Sequence, residues 1–268
     1  MSAKNQTKPV KLMGIVNITP DSFSDGGRYL DPEAAYEQIV KLVDQGADIV
    51  DLGAESSRPG AELIDEQEEW RRLEPVLNRL AQQPLGVELS VDTNKPTVMR
   101  RLVGTGVTLI NDIKGGADQE TLSFLAGQNM SYCAMHMHRS PADMQMEPLD
   151  GEQAVAAVAE FFRGTHDRLR RAGFAESAIL LDPGIGFGKT IAANLRLLQY
   201  SMKVAHDYAL VIGLSRKSFI GRMLEIDEPA ERDGPSKMLE LALILAGARV
   251  IRTHEVETLD RIRRLLRD

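Results

Sequence analysis

The chain has 268 residues, 43% of them hydrophobic and 26% charged, an ordinary globular composition with enough apolar material for one sizeable core. A formal charge of −7 argues against non-specific binding to nucleic acid or to an anionic membrane surface, so an anionic ligand would need a local cluster of Arg, Lys and His. The single cysteine, Cys133, excludes a disulfide within the chain and suits a reducing compartment; no run approaches the roughly 18 apolar residues of a membrane span, and polar residues 1–11 lack a signal-peptide core, so a cytoplasmic protein is expected.

Residues 1–10 are expected to be a flexible N-terminus and 11–268 a single domain, since no Pro/Ser-rich linker or low-complexity block interrupts them. Short apolar runs suited to strands occur at 12–16, 49–52, 87–91, 108–110, 131–135, 179–181, 209–213 and 250–251. Between them lie helical patterns. Asp31-Pro32 supplies an N-cap and a first-turn proline, Ala35, Ile39, Leu42 and Val43 share a face, and Gly46 is placed to stop the helix. Trp70, Leu73, Leu77 and Leu80 repeat at helical spacing; Pro96, Val98 and Leu102 open a third helix; 154–169, 195–204, 238–245 and 259–266 continue the alternation. Strict strand-then-helix order implies a parallel sheet with helices outside, and eight such units close naturally into a (β/α)₈ TIM barrel. A doubly wound open sheet is the alternative, though it would usually show one phosphate-binding glycine turn after its first strand.

Almost every apolar run ends in a residue able to do chemistry: Asn17, Asp51, Asp92, Asn111 with Asp112, His136, Asp182, Ser215 with Lys217, and Arg252 with His254. In a barrel those ends converge on one face. After the first run, residues 14–27 (GIVNITPDSFSDGG) read as a lid or a glycine-rich surface loop, with Asn17 able to reach an Mg²⁺ held mainly by phosphate oxygens and water. Residues 55–61 (ESSRPGA) read as an anion site or a turn. Asp92, Asn111 and Asp182 suit the amidine-like edge of a flat heterocycle, but they could also ligate metal or cap helices; His136 and His138 lack a spaced zinc set. Residues 182–190 (DPGIGFGKT) are not a P-loop, because Pro183 stands where a phosphate-binding glycine is needed. The cations gather at 213–221 (GLSRKSFIG) and 251–256 (IRTHEV), where Arg252 and His254, two apart on a strand, face the same way.

Together with SVDT (90–93), IND (110–112) and MHM (135–137), these motifs resemble the dihydropteroate synthase family from Met13 to Val256. The resemblance implies a TIM barrel that condenses 6-hydroxymethyl-7,8-dihydropterin pyrophosphate with p-aminobenzoate, uses Mg²⁺, is a sulfonamide target and forms a homodimer, with the apolar outer helices as candidate interface. It implies a pterin site of Asp92, Asn111, Ile113, Met135, Asp182, Phe187, Lys217 and Arg252. Pyrophosphate and Mg²⁺ would fall to Asn17, Ser57, Arg58 and His254, and p-aminobenzoate to Phe23, Pro59 and Ser215. Of these, Asn17, Arg58, Lys217, Arg252 and His254 are implied to be catalytic. Ser57, Thr253, Glu255 and the segment Gly234-Pro235-Ser236 depart from the usual motifs without removing a group the chemistry needs. A methyltetrahydrofolate:corrinoid methyltransferase shares a pterin-binding barrel but has no pyrophosphate to hold, and an inactive pterin-binding barrel would be expected to lack Asn17, Arg58, Lys217 or His254.

Overall fold

A computed structural model describes residues 9–19, 31–55, 63–139, 143–144 and 146–266. Residues 1–8 of the expected flexible terminus, most of the first loop with Phe23, and the second-loop residues Ser57, Arg58 and Pro59 lie outside the described residues.

Among the described residues, eight strands alternate with helices: β1 (Lys11–Asn17), β2 (Ile49–Gly53), β3 (Glu88–Asp92), β4 (Val107–Asp112), β5 (Ser131–Met135), β6 (Ile179–Asp182), β7 (Val211–Gly213) and β8 (Val250–Thr253). The helices are α1 (Pro32–Asp44), α2 (Glu66–Gln82), α3 (Pro96–Arg101), α4 (Gln119–Gly127), α5 (Gly151–Ala172), α6 (Ile191–Val204), α7 (Ser218–Leu224), α8 (Asp233–Leu245) and α9 (Glu257–Leu265). All strands are parallel, in the order β6-β5-β4-β3-β2-β1-β8-β7. The two ends of that order meet: Leu181 bridges Leu210, and Leu181 N–H donates to Ala209 O at 3.0 Å. That contact closes the sheet, so the barrel stands and the open sheet falls.

Helix starts follow their capping residues. Asp31 accepts from Glu33 N–H, Asp65 from Glu68 N–H, Asp118 from Thr121 N–H and Thr190 from Ala193 N–H. The α1 helix ends at Asp44, with Gly46 at φ 95° just beyond, where glycine bears the left-handed geometry without penalty. Period-2 alternation splits the strand residues into two apolar clusters. Outward-facing Leu12, Val16, Val50, Leu52, Val91, Ile110, Tyr132 and Leu181 pack with the helices in the large outer cluster. Met13, Ile49, Leu109, Cys133, Leu180, Val211 and Val250 form a separate inner cluster that plugs the barrel. Each fully buried aliphatic side chain contributes roughly 1.5–3 kcal/mol, so the plug is a rigid floor.

Candidate active site

Two residues along from that floor, the same inward parity delivers polar groups: Ile49 leads to Asp51, Leu109 to Asn111, Leu180 to Asp182 and Val250 to Arg252. Register ties them around the mouth, Asn17 opposite Gly53, Gly53 opposite Asp92, Asp92 opposite Asn111, and Met135 opposite Asp182. Asn17 is half-buried, and its Oδ1 lies 3.5 Å from where a Cβ on Gly53 would stand. Ile113 and Met135 are buried apolar residues at the ends of β4 and β5.

The centre of this ring is Asp51. Fully buried, it accepts from Ser90 Oγ at 2.6 Å, Asn111 Nδ2 at 3.0 Å and Arg252 Nε at 2.7 Å. Arg252 Nη2 reaches Asp92 Oδ2 at 3.3 Å. Burial works to lower the Arg252 pKa, but Asp51 and Asp92 outweigh it, and the guanidinium is held above its ordinary value. Burial pushes the Asp92 carboxyl up to about 7 against the pull of Arg252 and with the Asp51 charge adding to the rise. Asp182 is raised as well, first by burial, although Gly184 N–H donates to its Oδ1 at 2.7 Å and Lys217 and Arg252 pull the other way.

Lys217 sits opposite these carboxylates with Nζ 4.0 Å from the centroid of the Phe187 ring. Burial draws it down to about 8, with Asp182 opposing and Arg252 adding to the fall. On the same rim, Ser215 Oγ lies 3.0 Å from His254 Nδ1 and accepts from His254 N–H at 3.3 Å. Asn111, Asp92, Asp182, Lys217, Arg252, Phe187, Ser215 and His254 are thus gathered at the carboxyl ends of the strands, as convergence requires. Asp112, the other polar end of β4, is not: it accepts from Lys114 N–H, Gly116 N–H and Tyr132 OH, and so shapes the turn that follows.

The lysine of residues 182–190 is also accounted for. Lys189 Nζ is buried and donates to Gly184 O at 2.7 Å, Phe187 O at 2.8 Å and His136 O at 3.3 Å, which leaves it stapling the loop instead of facing a phosphate. Gly184, at φ 63°, lies so close to His136 O that a Cβ would collide with it. His136 is buried and lowered to about 3, chiefly by burial, so it stays neutral; among the described residues no group of three or more His, Cys, Asp or Glu gathers to hold a metal. A cavity of about 530 Å³ between α1 and α9, lined in part by Glu37, Lys41, Glu257 and Arg261, lies outside the barrel and takes no part in this ring.

Two contributors have no role assigned by the sequence: Asp51 stands there as a polar strand end and Ser90 as the first residue of SVDT (90–93), and their hydrogen-bond partners supply the role. No helix among the described residues is long and apolar enough to cross a membrane.

Comparison with known proteins agrees along the whole barrel. Residues 13–254 match the model of the pterin binding enzyme family. The dihydropteroate synthase of Escherichia coli (strain K12) is 39% identical over 254 residues, which span 94% of this chain and 89% of the relative. The crystal structure of Yersinia pestis dihydropteroate synthase with a sulfonamide drug complex superposes with a TM-score of 0.88 at 36% identity, covering 100% of this chain and 98% of that one. The Xanthomonas albilineans dihydropteroate synthase in complex with 7,8-dihydropteroate gives a TM-score of 0.84 at 34% identity, covering 97% and 94%.

Proposed function

Since the chain belongs to the pterin-binding enzyme family and to its dihydropteroate synthases, transferases of folate biosynthesis, we propose how its own residues divide that reaction. The observation that carries the proposal is the convergence of Asp182, Asn111, Lys217 and Arg252 on one mouth over a closed apolar floor.

Asp182 and Asn111 read the amino and ring N–H edge of the pterin, since a carboxylate accepts two parallel bonds from such an edge. Lys217, an ammonium below about pH 8, donates to the pterin oxygen and ring nitrogen. Ile113, Met135 and Phe187 wall the ring, and Arg252 lies against its face while Asp51 and Asp92 orient the guanidinium. On the rim, Arg252 and His254, with Ser57 and Arg58 of the second loop, hold the pyrophosphate. Their positive charge stabilises the negative charge that grows on the leaving oxygen as the methylene C–O bond breaks. The electron-rich pterin delocalises the resulting cation; p-aminobenzoate, held by Ser215 with Phe23 and Pro59, attacks through its amine, which then releases a proton. No general base is assigned.

Mg²⁺ fits the donor set: the neutral carboxamide oxygen of Asn17, at the end of β1, suits a hard cation whose other positions would be filled by pyrophosphate oxygens and water. When bound it would neutralise charge on the leaving group. The proposal extends to a homodimer built on the outer helices, where Met238 and Leu245 of α8 are 76% and 66% exposed. A cytoplasmic location is in keeping with the unpaired, buried Cys133.

Calorimetric titration of pterin pyrophosphate into Asp182→Ala tests the edge recognition. Binding is expected to vanish; near-wild-type affinity in a folded protein rejects the assignment.

A further inference from the structure

Ser215 and Lys217 flank Arg216, whose φ of 61° lies in the left-handed region that a bulky L-residue seldom adopts. Lys217 N–H donates to Leu214 O at 3.1 Å and closes a four-residue turn with Arg216 third, a place where positive φ usually selects glycine. An arginine there needs outside support, and the start of α8 supplies it. Arg216 Nε and Nη2 donate to the two carboxylate oxygens of Asp233, each at 2.9 Å. Arg216 N–H is 3.3 Å from Ser236 Oγ, and Arg216 O accepts from Arg232 Nη1 at 3.2 Å.

The supporting residues are themselves fixed. Ser236 is buried and donates to Arg232 O at 2.7 Å. Arg232 donates to Ile226 O at 3.1 Å and also to Asp227 O. A Cβ on Gly221 would run into the Arg232 guanidinium, so the glycine that ends the 213–221 motif is the space Arg232 occupies.

We infer that Arg232, Asp233 and Ser236 clamp Arg216 in its left-handed turn, and that Arg216 and Asp233 are thereby positioning residues for the synthase reaction. The turn sends Ser215 to His254 on one side and Lys217 to Phe187 on the other. Relaxing it to the right-handed region would rotate the peptides on both sides of Arg216 and misplace both groups, and misplacement of about 1 Å is costly at a reacting site. The inference rests on Ser215 and Lys217 belonging to the substrate site.

The test compares two variants that lose the same guanidinium. Arg216→Gly adopts positive φ unaided, whereas Arg216→Ala must bear the left-handed conformation with no fork to hold it. With each protein checked for folding by circular dichroism, kcat/KM of Arg216→Ala is expected about tenfold below that of Arg216→Gly. Asp233→Ala is expected to lower kcat/KM in the wild-type background and to have no further effect in Arg216→Gly. Equal losses in the glycine and alanine variants would mean that the guanidinium acts directly, and would overturn the clamp. So would wild-type turnover in Arg216→Ala, or an added loss when Asp233→Ala is combined with Arg216→Gly. If Arg216→Ala is recovered only unfolded, the Asp233→Ala comparison in the two backgrounds decides. Lys217→Ala tests the underlying assignment separately: unchanged turnover there rejects the site, whatever the Arg216 variants do.

Discussion

Arg252 on β8 donates through Nε to Asp51 on β2 at 2.7 Å, across the whole width of β1. Asp51 also fixes Asn111, so two substrate groups hang on one carboxylate that has no exposure of its own. Asp51→Ala is expected to cost roughly 3–5 kcal/mol in urea unfolding, because it leaves a largely buried guanidinium without its main partner. Turnover is expected to fall by about a hundredfold or more, since both Arg252 and Asn111 lose their orientation. Asp51→Asn keeps the shape, and its one carboxamide oxygen can still accept from both Asn111 and Arg252, which share Oδ2, but it loses the charge that pairs with the guanidinium and is expected to fall in between. A variant as stable and active as the parent would remove Asp51 from this role.

Lys217, drawn down to about 8 chiefly by burial, gives the pterin site a pH dependence. The group binds its ligand as the ammonium, so affinity is expected to be full below pH 7 and to fall as pH rises through 8. Loss of the proton from most molecules by pH 9 weakens binding roughly tenfold relative to pH 7. Arg stays charged throughout, so Lys217→Arg is expected to flatten the profile even if it binds less tightly at pH 7. Calorimetry at the two pH values checks both; a flat profile in the wild type would reject Lys217 as the titrating donor.

The barrel was legible because almost every strand is an apolar run closed by a polar residue, and parity then decides which residue faces inward. Asn111 and Asp112 show the rule: adjacent in sequence, they fall on opposite faces, one in the ring and the other shaping a turn. The α4 helix was not anticipated, since its nine residues bury only Thr121, Leu122 and Leu125, too few to repeat. Nor was α7, seven residues with Gly221 near the middle. The β7 ladder with β8 begins at Val211 and not at 209; Leu210 O already accepts from Val250 N–H at 2.9 Å, while Ala209 O accepts from Leu181 N–H on the β6 side. Asp51 could not be ranked from sequence, because its partners stand 39, 60 and 201 residues away.

Asn17 separates metal-linked from ring-linked binding. Its carboxamide belongs to the pyrophosphate end of the proposed site, so Asn17→Ala is expected to raise the Mg²⁺ concentration for half-maximal turnover by about tenfold. Binding of the pterin alcohol, which lacks pyrophosphate, is expected to be unchanged in calorimetry. Chelation with EDTA is expected to stop turnover in the wild type and restored Mg²⁺ to recover it. An unchanged Mg²⁺ requirement in Asn17→Ala would assign the cation to other groups.

Glu240 on α8 has no exposure, and neither carboxylate oxygen has a hydrogen-bond partner among the described residues. Burial pushes its pKa up to about 8, against the nearby Lys237, with the charges of Asp233 and Glu255 adding to the rise. Below about pH 4.5 the group is protonated in both folded and unfolded chains and carries no penalty. Between that value and pH 8 the unfolded chain releases the proton while the folded one keeps it, so stability drains away as pH rises through the window. Glu240→Leu removes the titration and fills the site with apolar volume. Its gain over the wild type is expected to be small near pH 4.5 and on the order of 3–5 kcal/mol by pH 8. Urea midpoints at the two pH values, at constant m-value, measure it. A gain that does not grow with pH would mean that Glu240 is ionised and paired in the folded protein.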